Sequence, residues 1–156
     1  MAKWSPERPH RLVIACSDGR FQEQLDEFLT QELGIIAYDR LYPPGGPGAL
    51  ATSGFEYARV DLYRRECRFL MEAHQIQEVF LVFHSGSADG PDIAMCADYL
   101  RKFPQFTMDQ LRAQQEADAS ELMQSLFSWP PELKIHVYRA ETTPENEVRF
   151  ALLAER

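Results

Sequence analysis

The sequence predicts a three-layer α/β/α fold with a mainly parallel central sheet. Two apolar runs, Leu12–Ala15 and Val79–Phe83, are too short for helices and suit strands that are buried on both faces. A helical segment and a second apolar segment follow the first run, and this strand–helix–strand order is typical of a parallel sheet with a right-handed crossover. With no linker or internal repeat in 156 residues, we expect residues 1–156 to form a single domain.

The first helix and the second strand follow directly from the apolar pattern. Apolar residues recur at intervals of three and four over Phe21–Leu33, which predicts an amphipathic helix, and Gly34 is a typical helix end. Ile35–Tyr38 is then predicted to be the second strand. The proline- and glycine-rich segment Tyr42–Gly48 predicts a loop, which lies near the end of the first strand if the sheet is parallel.

The long helix in the middle of the sequence has a recognisable start. Ser53 and Glu56 have the spacing of a capping box, which predicts a helix that runs to about His74. Its apolar residues include Phe55 and Cys67, and the Cys67 thiol is expected to pack as a small core side chain.

The last third of the chain predicts two helices, a strand and a terminal helix. Pro91 suits the first position of a helix through Phe103, and Thr107 with Gln110 predicts a second capping box that opens a helix to about Phe127. Leu133–Tyr138 alternates between apolar and polar residues, as an edge strand does. Thr143–Leu153 is predicted to be a short helix.

Composition and charge restrict the class of function. The formal net charge of −8 argues against nucleic-acid binding, which needs a basic surface, but a small anionic substrate remains compatible with a locally positive pocket. Three unpaired cysteines indicate a reducing compartment. The polar amino terminus and the absence of an apolar run approaching ~18 residues favour a cytoplasmic protein without a membrane segment.

Polar side chains follow both predicted central strands where each strand ends. Cys16, Asp18 and Arg20 follow the first strand, and His84 follows the strand over Val79–Phe83. Ligands bind at the carboxyl ends of strands in open α/β sheets, and a thiolate with an imidazole suits zinc. These residues are therefore candidates for a zinc site.

The segment from Cys16 to Arg20, the glycine-rich loop and the His84 segment together resemble the β-class carbonic anhydrases. The resemblance covers roughly residues 12–91, and only Gly19 departs from the family motif Cys-Ser-Asp-Ser-Arg. It implies zinc held by Cys16, His84 and a cysteine three residues beyond the histidine, and zinc-dependent hydration of carbon dioxide to bicarbonate. It also implies that Asp18, paired with Arg20, accepts a hydrogen bond from the nucleophile, and that a homodimer forms.

The third zinc ligand of the family is missing at its expected position. Ser87 stands three residues after His84, and a neutral hydroxyl is a poor zinc ligand. The resemblance therefore implies a weakened or lost zinc site with at best low activity, which a cysteine at position 87 would restore. Asp18, Cys96 or a water are candidate substitutes, although Cys96 would reach the site only if the helix predicted from Pro91 were displaced.

Two further functions and one structural role are compatible with the same residues. Without metal, Arg20 and main-chain amides at helix starts could hold a small anion in a non-catalytic or regulatory protein. Alternatively, Cys16 is a reactive thiol activated by Arg20, with His84 as the base. In the structural alternative, Asp18 and Arg20 cap and pin the first helix, and His84 is a hydrogen-bonded core histidine.

Overall fold

The sheet at the centre of the protein has five strands. A computed structural model describes residues 4–53, 56–124 and 129–156. The first four strands are mutually parallel, and the fifth is antiparallel to the fourth. The mainly parallel sheet predicted from the sequence is therefore confirmed. In chain order the strands are β1 (Arg11–Ala15), β2 (Asp39–Leu41), β3 (Glu78–Gly86), β4 (Lys134–Thr142) and β5 (Val148–Glu155), and their spatial order is β2-β1-β3-β4-β5.

Helices cover both faces of the sheet, as the three-layer prediction requires. Alternate residues of β1 and β3 point to opposite faces, and each face has its own apolar core. On one face lies α1, which continues as a π-helical turn. The other three helices pack on the opposite face. Within the described ranges, no helix is both long and apolar enough to cross a membrane. The helices are α1 (Gln22–Glu27), α2 (Tyr57–Ala73), α3 (Ala97–Lys102) and α4 (Met108–Gln124).

The second strand begins at Asp39, so its prediction over Ile35–Tyr38 is wrong. Gly34 has a φ of 67° and ends the helical segment as predicted. The Ile35 N–H then donates to the Leu29 carbonyl at 2.7 Å, and the Ile35 side chain is buried against the same core as α1. Because these residues complete the helix end, pairing with β1 starts only at Asp39.

The carboxyl-terminal part of the chain forms a β-hairpin. The predicted edge strand is β4, which lies between β3 and β5 and is therefore an interior strand. The predicted helix over Thr143–Leu153 is wrong, because a tight turn at Asn146, with a φ of 65°, sends the chain back along β4. The Phe150 ring of β5 stacks on Phe28 with the ring centroids 4.0 Å apart, so burial of this apolar face favours the strand.

The two predicted capping boxes have different outcomes. Thr107 and Gln110 form theirs: each main-chain N–H donates to the other side chain, at 2.9 and 3.2 Å. The Ser53 hydroxyl instead donates to Asp118 at 2.9 Å, and α2 begins after Glu56 without a side-chain cap. The predictions that concern Phe55 and Phe127 lie outside the described residues. Cys67 is fully buried in the core, as predicted.

The helix predicted over Pro91–Phe103 is interrupted. A short 3₁₀ turn covers Asp92–Ala94, the chain then extends through Met95 and Cys96, and α3 begins only at Ala97. Cys96 therefore precedes a helix rather than lying inside one. This difference brings it to the candidate site.

Candidate metal centre

Cys16 lies at the carboxyl end of β1, against the glycine-rich loop. The loop approaches so closely that a Cβ on Gly46 would lie 2.8 Å from the main-chain nitrogen of Cys16. Gly46 also has a φ of 56°, which favours glycine. The N–H of Gly45 points at the thiol and donates to its Sγ at 3.4 Å. The prediction that this loop lies near the end of the first strand is therefore confirmed.

β3 carries His84 to the same edge of the sheet. The imidazole is only 3% exposed, and Nδ1 donates to the main-chain oxygen of Ala94 at 3.0 Å. Because a carbonyl oxygen only accepts, the proton lies on Nδ1. Nε2 is buried and has no hydrogen-bond partner among the described residues. His84 is thus unlike a satisfied core histidine, and its second nitrogen is left for a ligand.

The segment Pro91–Cys96, which we call the strap, crosses the edge of the sheet and brings Cys96 to the other two residues. The Cys96 thiol is 1% exposed, and its Sγ lies 3.9 Å from the Sγ of Cys16. No displaced helix is needed, because the chain is extended at Met95 and Cys96. The expectation that Cys96 could not reach without displacing a helix is therefore wrong.

Three metal-ligating side chains meet at this edge. Cys16, His84 and Cys96 each offer a ligand atom, and these atoms lie within 4.8 Å of one another. Two thiolates that share a tetrahedral zinc at Zn–S distances of about 2.3 Å lie about 3.8 Å apart. The observed 3.9 Å between the two sulfurs is close to that value. With the unpartnered Nε2 as third donor, these residues fit zinc.

The two thiols of the cluster have very different pKa values. The hydrogen bond from Cys96 lowers the pKa of Cys16 to about 4, with help from His84 and the Gly45 N–H and against the effect of burial. The same hydrogen bond, with burial and the charge on Cys16, raises the pKa of Cys96. Cys16 is therefore the more acidic of the two thiols, and metal binding would deprotonate both.

Asp18 and Arg20 form a forked ion pair beside the cluster. Arg20 Nε lies 3.0 and 3.1 Å from the two Asp18 oxygens, and Nη2 lies 2.5 Å from Oδ2. These hydrogen bonds hold the pKa of Asp18 at about 2. Asp18 also accepts the main-chain N–H of Arg20 and caps the turn before α1, which confirms the capping role. Its Oδ2 lies 3.9 Å from Nε2 of His84, so the carboxylate also faces the cluster.

A small apolar cavity of about 10 Å³ adjoins Cys16 and His84. It has room for about one water molecule at most. The Phe21 ring closes one side and lies 4.4 Å from the imidazole, centroid to centroid. This side of the cluster is therefore largely shielded from solvent. The other apolar residues that line it are Ala15, Leu25, Val82, Phe83, Ala140 and Phe150.

Comparison with known proteins identifies the fold. No protein-family model matches the sequence, and no curated protein matches it. Among solved structures, β-carbonic anhydrase isoform I of Trichomonas vaginalis superimposes with a TM-score of 0.51 at 13% identity, over 97% of this chain and 87% of that chain. The carbonic anhydrase of Streptococcus mutans gives 0.51 at 15% identity, over 96% and 87%. The chain has the β-carbonic anhydrase fold.

A third structure with this fold, from the tetrameric β-carbonic anhydrases of Sordaria macrospora, matches with a TM-score of 0.51 at 13% identity, over 96% of this chain and 83% of that chain. At these identities the likeness to β-carbonic anhydrases is one of fold. The chemistry of this chain therefore has to be argued from its own side chains.

Ser87, which stands where the resemblance to β-carbonic anhydrases implies the third ligand, is engaged elsewhere. Its hydroxyl donates to Asp89 at 2.9 Å, and its N–H donates to the carbonyl of Thr142 at 2.9 Å. The side chain is buried in the turn that follows β3. The thiol of Cys96, and not the hydroxyl of Ser87, lies with Cys16 and His84.

Cys96 is the candidate ligand that the sequence pattern places wrongly. Pro91 predicts a helix start, but the true start is at Ala97, with Cys96 at the N-cap position. The signal that could locate this start is Asp98, because acidic residues favour the first turn of a helix.

Proposed function

We propose that this chain binds zinc through Cys16, His84 and Cys96 and interconverts carbon dioxide and bicarbonate. One observation carries the proposal: two thiol sulfurs and a buried imidazole nitrogen without a partner among the described residues meet within 4.8 Å at the carboxyl edge of the sheet. The likeness of fold to carbonic anhydrases supports this choice of metal and reaction.

The proposed site has three protein ligands. From the sequence alone, Ser87 favours a weakened or lost zinc site, because it removes a thiolate. Cys96 supplies a second thiolate from the strap, so the donor set is again two sulfurs and one nitrogen. We therefore expect zinc binding that is stronger than the sequence alone implies.

In this proposal the ion pair beside the cluster orients the nucleophile. A zinc ion held by Cys16, His84 and Cys96 would lower the pKa of a bound water to about 7 and so supply a nucleophile near neutral pH. Asp18 remains ionised because Arg20 binds both of its oxygens. An ionised carboxylate only accepts hydrogen bonds, so Asp18 would accept one from the nucleophile and thereby orient the lone pairs of the attacking oxygen. Phe21 and its apolar neighbours exclude water from the inner side.

Metal content and carbon dioxide hydration together test the proposal. Protein purified without a histidine tag or chelator should contain close to one zinc per chain, and stopped-flow assays should detect hydration that is lost in Cys16→Ser. Cys67→Ala is the matched control, since Cys67 is buried in the core away from the cluster. Absence of zinc even after zinc is supplied, or unchanged hydration in Cys16→Ser, would refute the assignment.

A reactive thiol at Cys16 is the second candidate, favoured by its partial exposure and by the Gly45 N–H that donates to its sulfur. In this function His84 would act as the base through Nε2. The two candidates differ in the response to zinc. If zinc occupies the cluster, added zinc should protect Cys16 from iodoacetamide, whereas a metal-free thiol should be alkylated at the same rate with and without zinc.

A non-catalytic anion site has less support. Arg20 donates to both oxygens of Asp18 and to the main-chain oxygen of Ile93, so its fork is already occupied. The Gly45 N–H points at Cys16 rather than into a cradle for an anion. A small anion such as bicarbonate is therefore proposed as a product and substrate at the metal centre.

We further propose that the chain assembles as a homodimer. The proteins from Sordaria macrospora with this fold are tetrameric. Here α2 exposes Tyr57, Leu62 and Phe69, with Phe69 61% exposed, and such apolar side chains are typical of interfaces between subunits. Light scattering at several concentrations tests this, and a monomer at all of them would exclude it.

A further inference from the structure

The strap is held by the side chains of the site itself. Arg20 Nη1 donates to the carbonyl of Ile93 at 2.9 Å, and His84 Nδ1 donates to the next carbonyl, that of Ala94, at 3.0 Å. Cys96 follows two residues later. In the described part of the chain, these are the two side-chain hydrogen bonds that reach the main-chain carbonyls of the strap from other elements.

The two bonds hold different halves of the strap. Ala94, Met95 and Cys96 are buried, so packing supports the half that His84 contacts. Asp92 and Ile93 are exposed, and the Ile93 side chain is 78% exposed, so packing does little to fix that half. Main-chain bonds of the 3₁₀ turn, from Ala94 to Pro91 and from Met95 to Asp92, also hold the outer half, and the bond from Arg20 is the side-chain bond that ties it to the site.

We propose that Arg20 is a positioning residue for the third metal ligand, because it holds the strap that carries Cys96. This inference rests on the proposed zinc site and deepens it. The three nitrogens of one guanidinium are divided between Asp18, which receives Nε and Nη2, and the strap, which receives Nη1. Arg20 thereby fixes the distance between the carboxylate that faces the cluster and the segment that supplies the second thiolate.

The planar fork of arginine is essential to this role. A lysine ammonium can pair with Asp18 as a point charge, but its three donors leave from one nitrogen and do not span the distance between the carboxylate and Ile93 as the three nitrogens of the guanidinium do. Arg20→Lys should therefore keep the attraction for Asp18 and lose the hold on the strap. Asp18→Asn should remove the attraction between charges and keep the hold on the strap. The amide oxygen still accepts from Arg20, and the bond from Arg20 to Ile93 remains.

The test measures metal binding and the accessibility of Cys96 separately. Co²⁺ affinity, measured by competition with a chromophoric chelator, should fall by about 10-fold in Arg20→Lys and Arg20→Ala. This is the lower end of the loss typical when a residue that orients a metal ligand is replaced. The thiolate-to-cobalt charge-transfer absorption should weaken as well. Arg65→Ala, which changes an exposed arginine of α2, should stay within about 2-fold.

A second readout needs no metal. Mass spectrometry of labelled peptides should show that Cys96 of the metal-free protein reacts faster with iodoacetamide in Arg20→Ala than in the parent chain, Asp18→Asn or Arg65→Ala. If Cys96 reacts faster in Arg20→Ala while the parent chain binds neither Co²⁺ nor Zn²⁺, the zinc site is refuted and the hold of Arg20 on the strap stands. Unchanged labelling of Cys96 in folded Arg20→Ala overturns the inference. If the parent chain binds metal, equal Co²⁺ affinity of Arg20→Ala and the parent chain also overturns it.

Discussion

The sulfurs of Cys16 and Cys96 lie 3.9 Å apart although eighty positions separate them in the sequence. Cys16 ends a strand, whereas Cys96 ends an irregular strap that follows the neighbouring strand. In the proposed site the strap, rather than the short turn after His84, supplies the second thiolate. The proposed ligand set is therefore assembled from three places in the fold: the end of β1, β3 and the strap.

The first prediction concerns the identity of the third ligand. Cys96→Ser should weaken zinc affinity by more than about 100-fold, beyond the loss typical of outer-shell changes, because it removes a thiolate donor. Ser87→Cys is the matched change at the position implied by the resemblance, and we expect no gain in affinity from it. Competition with a chromophoric zinc chelator measures both. Unchanged binding in Cys96→Ser would exclude Cys96 as a ligand, and tighter binding in Ser87→Cys would show that a side chain at position 87 reaches the metal.

The second prediction concerns the loop that approaches β1. Gly46→Ala should lower the free energy of unfolding by about 2 kcal/mol or more, because the new Cβ meets the Cys16 nitrogen and the φ of 56° is strained for alanine. Gly19→Ala is the control: a Cβ there meets nothing within 4 Å, and its effect should stay within about 0.5 kcal/mol. Urea denaturation measures both, and equal effects would show that the close approach is not rigid.

The third prediction concerns the buried carboxyl of Asp118, which accepts hydrogen bonds from Tyr99, Ser53 and Gln114. Burial raises the pKa of Asp118, so its ionisation costs more in the folded protein than in the unfolded chain. This penalty is absent below the unfolded pKa of about 4 and grows as pH rises through the folded value. The stability of Asp118→Asn relative to the parent should therefore increase with pH.

Urea denaturation between pH 3.5 and 7 measures this difference. The exposed Asp61 of α2 provides the control, because Asp61→Asn should show no comparable dependence on pH. A relative stability of Asp118→Asn that decreases as pH rises would mean that the hydrogen bonds to the carboxylate outweigh its burial.

The fourth prediction concerns the packing of β5. Phe150→Ala should lower the free energy of unfolding by about 2 to 3 kcal/mol, because it removes the ring stacked on Phe28. Leu152→Ala on the same strand, where the side chain is 51% exposed, should cost less than about 1 kcal/mol. Thermal and urea denaturation compare the two. Similar losses would indicate that β5 is held by its backbone pairing rather than by this contact.

Most of the fold can be predicted from sequence where one local signal dominates. The apolar run of β3 and the capping box at Thr107 are of this kind, because each needs only its neighbours in the chain. The segment over Ile35–Tyr38 fails because its apolar residues complete the end of a helix and not a strand. β5 fails because the contact between Phe150 and Phe28, which favours a strand there, joins residues that are distant in sequence, and distant contacts override local pattern.

The residues of the candidate site also divide into those with a local sequence signal and one whose position depends on distant contacts. Cys16, Asp18, Arg20 and His84 can be proposed as site residues because each directly follows a recognisable strand, and strand ends of a parallel sheet share one edge. Cys96 follows no strand, and its position depends on a strap whose shape is set by bonds to Arg20 and His84. No short pattern carries that information.

The route by which the strap delivers Cys96 has a consequence for the order of events in folding. The proposed ligands at positions 16, 84 and 96 lie on segments that the pairing of β1 with β3 brings together, and closing such long loops carries an entropic cost that grows with loop length. Zinc fingers differ, because their ligands lie close in sequence and the metal can nucleate the fold. In this chain zinc would enter a scaffold that is already built, so a ribosome-bound chain has no complete binding site before residue 96 emerges.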